Sequence, residues 1–231
     1  MKYKRVLLKL SGEALSGGGQ TGINIPSIEN IAKEIRKAVE KKVQLAIVIG
    51  GGNIWRGAGK KIDRVKADNM GMLGTLINAL AMQDVLEKNG IKSCVLSAIS
   101  VSKIAEFYVQ EKALESLKKG YVVILGGGTG NPYFTTDTTA ALRAAELKAD
   151  VLLKATQVDG VYDSDPKLNK NAKKYKHITY DEAIRKNLKI MDTSAFSLCK
   201  DNKLPIIVFN FHLAGNLSKV LSGKNIGTLV S

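Results

Sequence analysis

Short apolar runs rich in β-branched residues alternate along this chain with longer stretches whose apolar side chains recur every three or four positions. The first kind of run fits a strand buried on both faces, and the second an amphipathic helix. Strands are predicted at Lys4–Leu10, Val43–Ile49, Ser93–Ser97, Tyr121–Leu125, Val151–Lys154 and Pro205–Phe209. Helices are predicted at Ser27–Lys42, Asn69–Asn89, Glu111–Lys119, Thr136–Leu147 and Thr193–Asn202, several opened by a Ser, Thr or Asn that can cap free N–H groups. Strands alternating with helices mark parallel βαβ units, so the expected class is α/β, with a mainly parallel sheet covered on both faces. Sheets of this kind bind ligands at the carboxyl ends of their strands. No linker or internal repeat divides the 231 residues, and that length suits one domain. The charged stretch Asp163 to Lys176 is expected to leave the core as a long loop or small hairpin.

Composition excludes several classes. Hydrophobic residues make up 45% of the chain but lie in short runs, which fits a globular protein and gives no run near the roughly 20 residues of a membrane span. The apolar stretch Val6 to Leu10 is broken by Lys9 and is too short for a signal-peptide core, so a cytoplasmic protein is expected. Cys94 and Cys199 lack metal-ligand spacing and read as structural thiols. The formal charge of +14 predicts attraction to polyanions without choosing among nucleotides, nucleic acid and anionic lipid. Its densest groups are Lys60, Lys61, Arg64 and Lys66, and then Lys167 to Lys176. No aromatic residues are interleaved there as stacking platforms, so a solvated basic surface is favoured over a nucleic-acid face.

Chemistry is expected where predicted strands end in glycine. Lys9 to Glu13 (KLSGE), Gly50 to Arg56 (GGGNIWR) and Gly126 to Asp137 (GGGTGNPYFTTD) all follow strands. Glycines let the backbone approach an anion, and successive N–H groups supply donors of fixed direction. No GxxxxGK[ST] occurs, so any phosphates are held without a P-loop. Gly17, Gly19 and Gly22 satisfy GxGxxG, but KLSGEALS separates them from the strand, whereas a dinucleotide fingerprint joins strand to helix directly. Phosphoryl transfer needs positive charge and in-line placement more than covalent chemistry. Lys9 and Lys154, at the ends of apolar runs, suit that need, and Asp137 suits either holding them, binding magnesium or capping a helix. His177 and His212 stand without partners in the sequence and read as incidental.

The blocks KLSGEAL, VIGGGNIWRG, DNMGML, GGGTGNPYFTTD, LKATQVDGVYDSDP, MDTSAF and IGTLV, in this order, resemble the amino acid kinase family over essentially the whole chain. GTGNPYFTTD and DNMGML look like its bacterial uridylate kinase branch. The resemblance implies a three-layer αβα sandwich in a single domain, with the acceptor on roughly residues 1–150 and ATP on roughly residues 151–231. It implies transfer of the γ-phosphoryl group of ATP to UMP, giving UDP and ADP for pyrimidine nucleotide biosynthesis in the cytoplasm. It further implies Mg²⁺ held mainly by the nucleotide phosphates and not by a protein site, a homohexamer, activation by GTP and inhibition by UTP.

By the same resemblance, Lys9, Lys154 and Asp137 are catalytic, and Lys9, Leu10, Ser11, Gly12, Gly52, Arg56, Thr156, Tyr162 and Asp165 bind ATP. Gly51, Asp68, Thr129, Gly130, Asn131, Pro132, Tyr133, Phe134, Thr135 and Thr136 would bind UMP, with Asp68 receiving ribose hydroxyls, and Asp192 is a further active-site candidate. In several relatives the segment matching Glu106 to Lys112 carries arginines that EFYVQEK lacks, and the segment matching Gly17 to Gly22, here GGGQTG, takes part in the effector response of some. Two rivals remain at this point: a family member acting on a carboxylate or carbamate (acetylglutamate, aspartate, carbamate), and a basic nucleic-acid-binding regulatory protein.

Overall fold

The computed structural model describes every residue except Gly19, Gln20, Ala58, Lys60, Lys167 and Lys189. Gly19 of the GxGxxG match, Gln20 of the GGGQTG segment, and Lys60 and Lys167 of the basic groups therefore lie outside the described residues. The chain runs β1 (Arg5–Leu10), α1 (Ile25–Glu40), β2 (Gln44–Ile49), α2 (Arg64–Lys88), β3 (Ser93–Ser97), β4 (Glu106–Phe107), α3 (Gln110–Lys118) and β5 (Val122–Gly126). It continues through α4 (Thr136–Glu146), β6 (Val151–Thr156), β7 (His177–Ile178), α5 (Tyr180–Arg185), α6 (Thr193–Asp201), β8 (Ile206–Asn210), α7 (Asn216–Leu221) and β9 (Thr228–Val230). A 3₁₀ helix at Gly12–Leu15 follows β1.

Among the described residues these strands form one sheet, in the order β4-β3-β5-β2-β1-β6-β8-β9-β7. Neighbours are parallel except β8 and β9, which are antiparallel. Alternation along β1 sends Val6, Leu8 and Leu10 to the layer of α1, α2 and α7, and Leu7 to the layer of α3, α4, α5 and α6. Both faces are covered, which is why the strands read as continuous apolar runs. Each fully buried leucine contributes roughly 1.5–3 kcal/mol, and Leu8→Ala would cost about 2–5 kcal/mol through the cavity it leaves. The expected three-layer α/β sandwich is what these residues build.

The helices begin where polar side chains meet free N–H groups. Asn24 accepts from Ser27 N at the start of α1, where Pro26 occupies the first turn, and Asp63 accepts from Lys66 N at the start of α2. The excursion after β6 folds back as a hairpin-like arm, with Tyr175 N donating to Val161 O and Asp163 N to Lys173 O. Several details differ from the sequence expectation: α2 begins at Arg64 and not at Asn69, and β4, β7, β9, α5 and α7 stand where the sequence predicts no strand or helix. Lys9 and Lys154 do not end their strands, since β1 runs to Leu10 and β6 to Thr156, and His177 has a partner in the Ser231 hydroxyl, 2.9 Å away. No helix among the described residues is long and apolar enough to cross a membrane.

Candidate active site

Parallel pairing of β1 with β6 sets Leu7 opposite Leu152 and Lys9 opposite Lys154. Since residues two apart share a face, both lysines point toward the layer that holds α4. There Asp137, in the first turn of α4, receives both: Lys9 Nζ lies 2.9 Å from Oδ1 and Lys154 Nζ 2.6 Å from Oδ2. The three side chains are only 12%, 14% and 16% exposed, in the order Lys9, Lys154, Asp137. Oδ1 has the Lys9 charge beside it without a well-directed hydrogen bond, whereas Lys154 is bonded to Oδ2 and also donates to Ile190 O. Burial works against the Asp137 charge, but the two ammonium groups outweigh it and hold the carboxyl below the ordinary carboxylate range. For Lys154, burial and the neighbouring Lys9 pull the ammonium below its ordinary value, and Asp137 only partly opposes them. The cluster thus sets two lysines against one carboxylate at the carboxyl end of the sheet, with no serine, cysteine or histidine in it.

The three glycine loops meet at the same end because β5, β2 and β1 are parallel neighbours. Gly12 is required by close approach: a Cβ there would stand 2.3 Å from Asn53 Oδ1 and 2.7 Å from Gly50 O. Gly127, at φ +80°, is required by conformation as well as by Ala98 N, 3.0 Å from its would-be Cβ. Between the second and third loops and α2 lies a cavity of about 160 Å³, lined by Gly51, Gly52, Asp68, Thr75, Asn131 and Thr136 among others. Phe134 and Thr135 also line it. Thr129 and Gly130 shape the loop above through Asn131 N to Thr129 Oγ1 and Gly130 N to Gly127 O, and Pro132 follows in the same turn.

Asp68 stands on the first turns of α2, where its Oδ2 accepts from Arg64 Nε and from Tyr133 N, both at 2.8 Å. Tyr133 is held at φ +73°, an uncommon state for a residue with a Cβ, and its bond to Asp68 is what that conformation secures. Burial opposes the Asp68 charge, but Arg64 and the Tyr133 N–H prevail and keep its carboxyl below the ordinary range.

Residues expected around ATP are distributed along the neighbouring strand ends. Leu10 is fully buried in the core, with its carbonyl taken by Gly50 N, so it forms the floor beneath the loops and presents no side chain to a ligand. Ser11 precedes the 3₁₀ helix and accepts from Ala14 N through its carbonyl. Arg56 closes back on its own loop through Gly52 O and forms an ion pair with Glu13. Thr156 ends β6, its hydroxyl on Val158 O, while Tyr162 donates to Asp159 and Asp165 lies further out on the arm. Asp192 caps α6 through Ala195 N and accepts from the hydroxyls of Thr135 and Thr138, bracing the start of the helix that carries Asp137. A larger cavity of about 650 Å³, between the 3₁₀ helix, α1 and the loop after β8, contains none of the charged triad, so size does not locate the chemistry.

Asn53, Thr75 and Asn78 carry no signal in the sequence that marks them as functional. Thr75 Oγ1 accepts from Gly127 N at 2.9 Å, and the two asparagines bond to each other beneath the second glycine loop. Asn53 stands inside a quoted motif, but nothing local distinguishes a buried asparagine from one in a solvent-facing turn.

The sequence pattern of the amino acid kinase family matches residues 4–210, and the chain belongs to that family. The solved UMP kinase from Bacillus anthracis is 43% identical, with a TM-score of 0.97 over 100% of this chain and 97% of that one. The UMP kinase from Ureaplasma parvum is 42% identical, with a TM-score of 0.94 and 100% of both chains covered. The uridylate kinase from Archaeoglobus fulgidus is 28% identical, with a TM-score of 0.74 over 98% of this chain and 99% of that one.

Proposed function

We propose that this chain is a uridylate kinase that transfers the γ-phosphoryl group of ATP to UMP, giving ADP and UDP. The observation that carries this is the pair of register-matched lysines on one buried carboxylate, beside a small cavity that presents Asp68. A phosphate oxygen of UMP is already an anionic nucleophile. It attacks the γ-phosphorus as the bond to the bridging oxygen of ADP breaks, so no general base is needed. Lys9 and Lys154 offset charge on the transferring group, and Asp137 keeps the two ammonium groups together. Asp68, an acceptor-only group, would receive ribose hydroxyls. Identity above 40% to two UMP kinases along the full chain supports this acceptor over a carboxylate or carbamate.

The acceptor would occupy roughly residues 1–150 and ATP roughly residues 151–231, with the loops of Lys9 to Gly12 and Gly52 to Arg56 reaching the ATP phosphates. Magnesium would come with the nucleotide. Both Asp137 oxygens face lysines, which favours the nucleotide phosphates as the holders of the metal. A cytoplasmic place in pyrimidine nucleotide synthesis, a homohexamer, and control by GTP and UTP belong to the same proposal. Exposed Met70, Leu73 and Ile77 along α2 support assembly.

Coupled assays with UMP, CMP and acetylglutamate test the assignment. UMP should be the working acceptor, and Lys9→Ala and Lys154→Ala should abolish turnover while circular dichroism stays unchanged. Phosphorylation of acetylglutamate and not of UMP would refute it. Near-normal kcat in both lysine variants would refute the phosphoryl site.

A further inference from the structure

Asn53 and Asn78 are 1% and 0% exposed, and their amides bond to Gly22, Gly50 and each other and not to the lysine–carboxylate cluster. A buried amide costs about 1–3 kcal/mol unless it is bonded, and asparagine is a poor residue for the middle of a helix, where Asn78 stands in α2. Every amide hydrogen of the pair is used. Asn78 Nδ2 donates to Gly50 O at 2.7 Å and to Asn53 Oδ1 at 2.6 Å. Asn53 Nδ2 donates to Gly22 O at 2.8 Å and to Asn78 Oδ1 at 3.0 Å, and Gly22 N returns a bond to Asn53 O at 2.8 Å. Flipping either amide would set NH₂ against NH₂ or carbonyl against carbonyl, so the network has one arrangement.

The clasp grips the second glycine loop at two points, its first residue Gly50 and Asn53, where the glycine run ends. The first loop is held too, because Gly12 packs directly under Asn53 Oδ1. One turn before Asn78 on the same helix, Thr75 binds Gly127 N of the third loop, and further toward the N-terminus stands Asp68. A single rigid helix therefore sets the distances between all three loops and Asp68.

We propose that Asn78, acting through Asn53, is a positioning residue for phosphoryl transfer: the amide clasp fixes the backbone of Gly50 to Asn53 in register with Lys9 and with Asp68. This rests on the kinase assignment above. The clasp touches neither substrate, so its loss should misplace the N–H groups around the transferring phosphoryl and leave ground-state binding nearly intact.

The test uses Asn53→Ala, Asn78→Ala and the double variant, each checked for folding by circular dichroism and urea titration before steady-state kinetics. In the folded state each single variant should lose about tenfold to a hundredfold in kcat, with both KM values within about threefold of wild type. The double variant should lose no more than the worse single one, because the two amides act as one unit. Full kcat in folded variants, losses that multiply in the double variant, or activity that merely tracks the folded fraction would each overturn the role. Should Asn78→Ala not fold, Asn53→Ser breaks the reciprocal bond with a hydroxyl left in the space, and the same criteria apply. A wild-type chain with no turnover of UMP sinks the kinase assignment and this role together, whereas an active wild type whose folded variants keep kcat sinks the role alone.

Discussion

Replacing Asp137 by asparagine keeps the volume of the side chain and removes the one negative charge between two ammonium groups 2.9 and 2.6 Å away. Two unit charges about 4 Å apart repel by about 4 kcal/mol at an effective dielectric near 20, and breaking a buried pair costs about 3–5 kcal/mol. Proton loss caps that cost. Each pH unit between a group's pKa and the solution is worth about 1.4 kcal/mol, and burial already draws Lys154 below the ordinary 10.5, with Asp137 as its main support. Without that support the Lys154 pKa falls further, and the stability lost at neutral pH should be about 3 kcal/mol, the lower end of that range. Turnover should fall by about a hundredfold to a thousandfold, because one ammonium no longer serves the transferring group.

The pH dependence gives this prediction its sharpest form. In the variant, the folded pKa of Lys154 lies below the unfolded one, so the unfolded chain binds more protons and stability rises as pH climbs toward 10.5. In wild type the Asp137 pKa is depressed, so its contribution is complete above the ordinary 3.8 and disappears as pH falls through the folded value. The gap between the two proteins should therefore be widest just above the carboxylate range, shrinking as pH falls through the folded Asp137 value and as it climbs toward 10.5. Urea titrations across pH, together with initial rates, measure it. A kcat within threefold of wild type and a gap independent of pH would refute the electrostatic account.

Three further outcomes are expected. Asp68→Asn should raise the KM for UMP about tenfold to a hundredfold, the worth of a hydrogen bond to a charged group, and leave the KM for ATP within about threefold in initial-rate assays. Gly12→Ala drives a methyl against Asn53 Oδ1 and Gly50 O and should cost about 1–3 kcal/mol, read from the urea midpoint; an unchanged midpoint would mean that the loop yields freely. Asp192→Ala removes the cap of α6 and the acceptor for two threonines and should cost about 1–2 kcal/mol by thermal unfolding, with kcat reduced less than about tenfold. Abolished turnover at unchanged stability would instead mean that Asp192 meets a substrate.

The sheet is legible wherever strands are long and buried on both faces, as at Val6 to Leu8 and Val151 to Leu153, because sandwiched strands must be apolar there. β4, β7 and β9 hold two or three residues and α5 and α7 only six, too few for a period to show. The arm around Asp163 is foreseeable from its charge, although the backbone bonds that fold it back are not. Lys9 and Lys154 stand out as polar residues at the ends of apolar runs, and Asp137 as an acid at the start of a helix. Their mutual contact depends on the register between β1 and β6, and alternation reports only the face of a side chain, never which distant residue lies beside it. Asp192 shows the converse limit, since its placement near the site is visible while its bonds to Thr135 and Thr138 emerge only from packing.

The centre of the sheet has a further consequence for how the protein matures. β1 lies between β2, its neighbour along the chain, and β6, whose residues emerge from synthesis much later. Pairings so distant in the chain close slowly, because a long loop must lose its freedom before the contact rewards it. The two lysines lie on either side of that last seam. A half-folded intermediate would therefore lack the paired charges, and the protein would acquire its reactivity only as the two halves join.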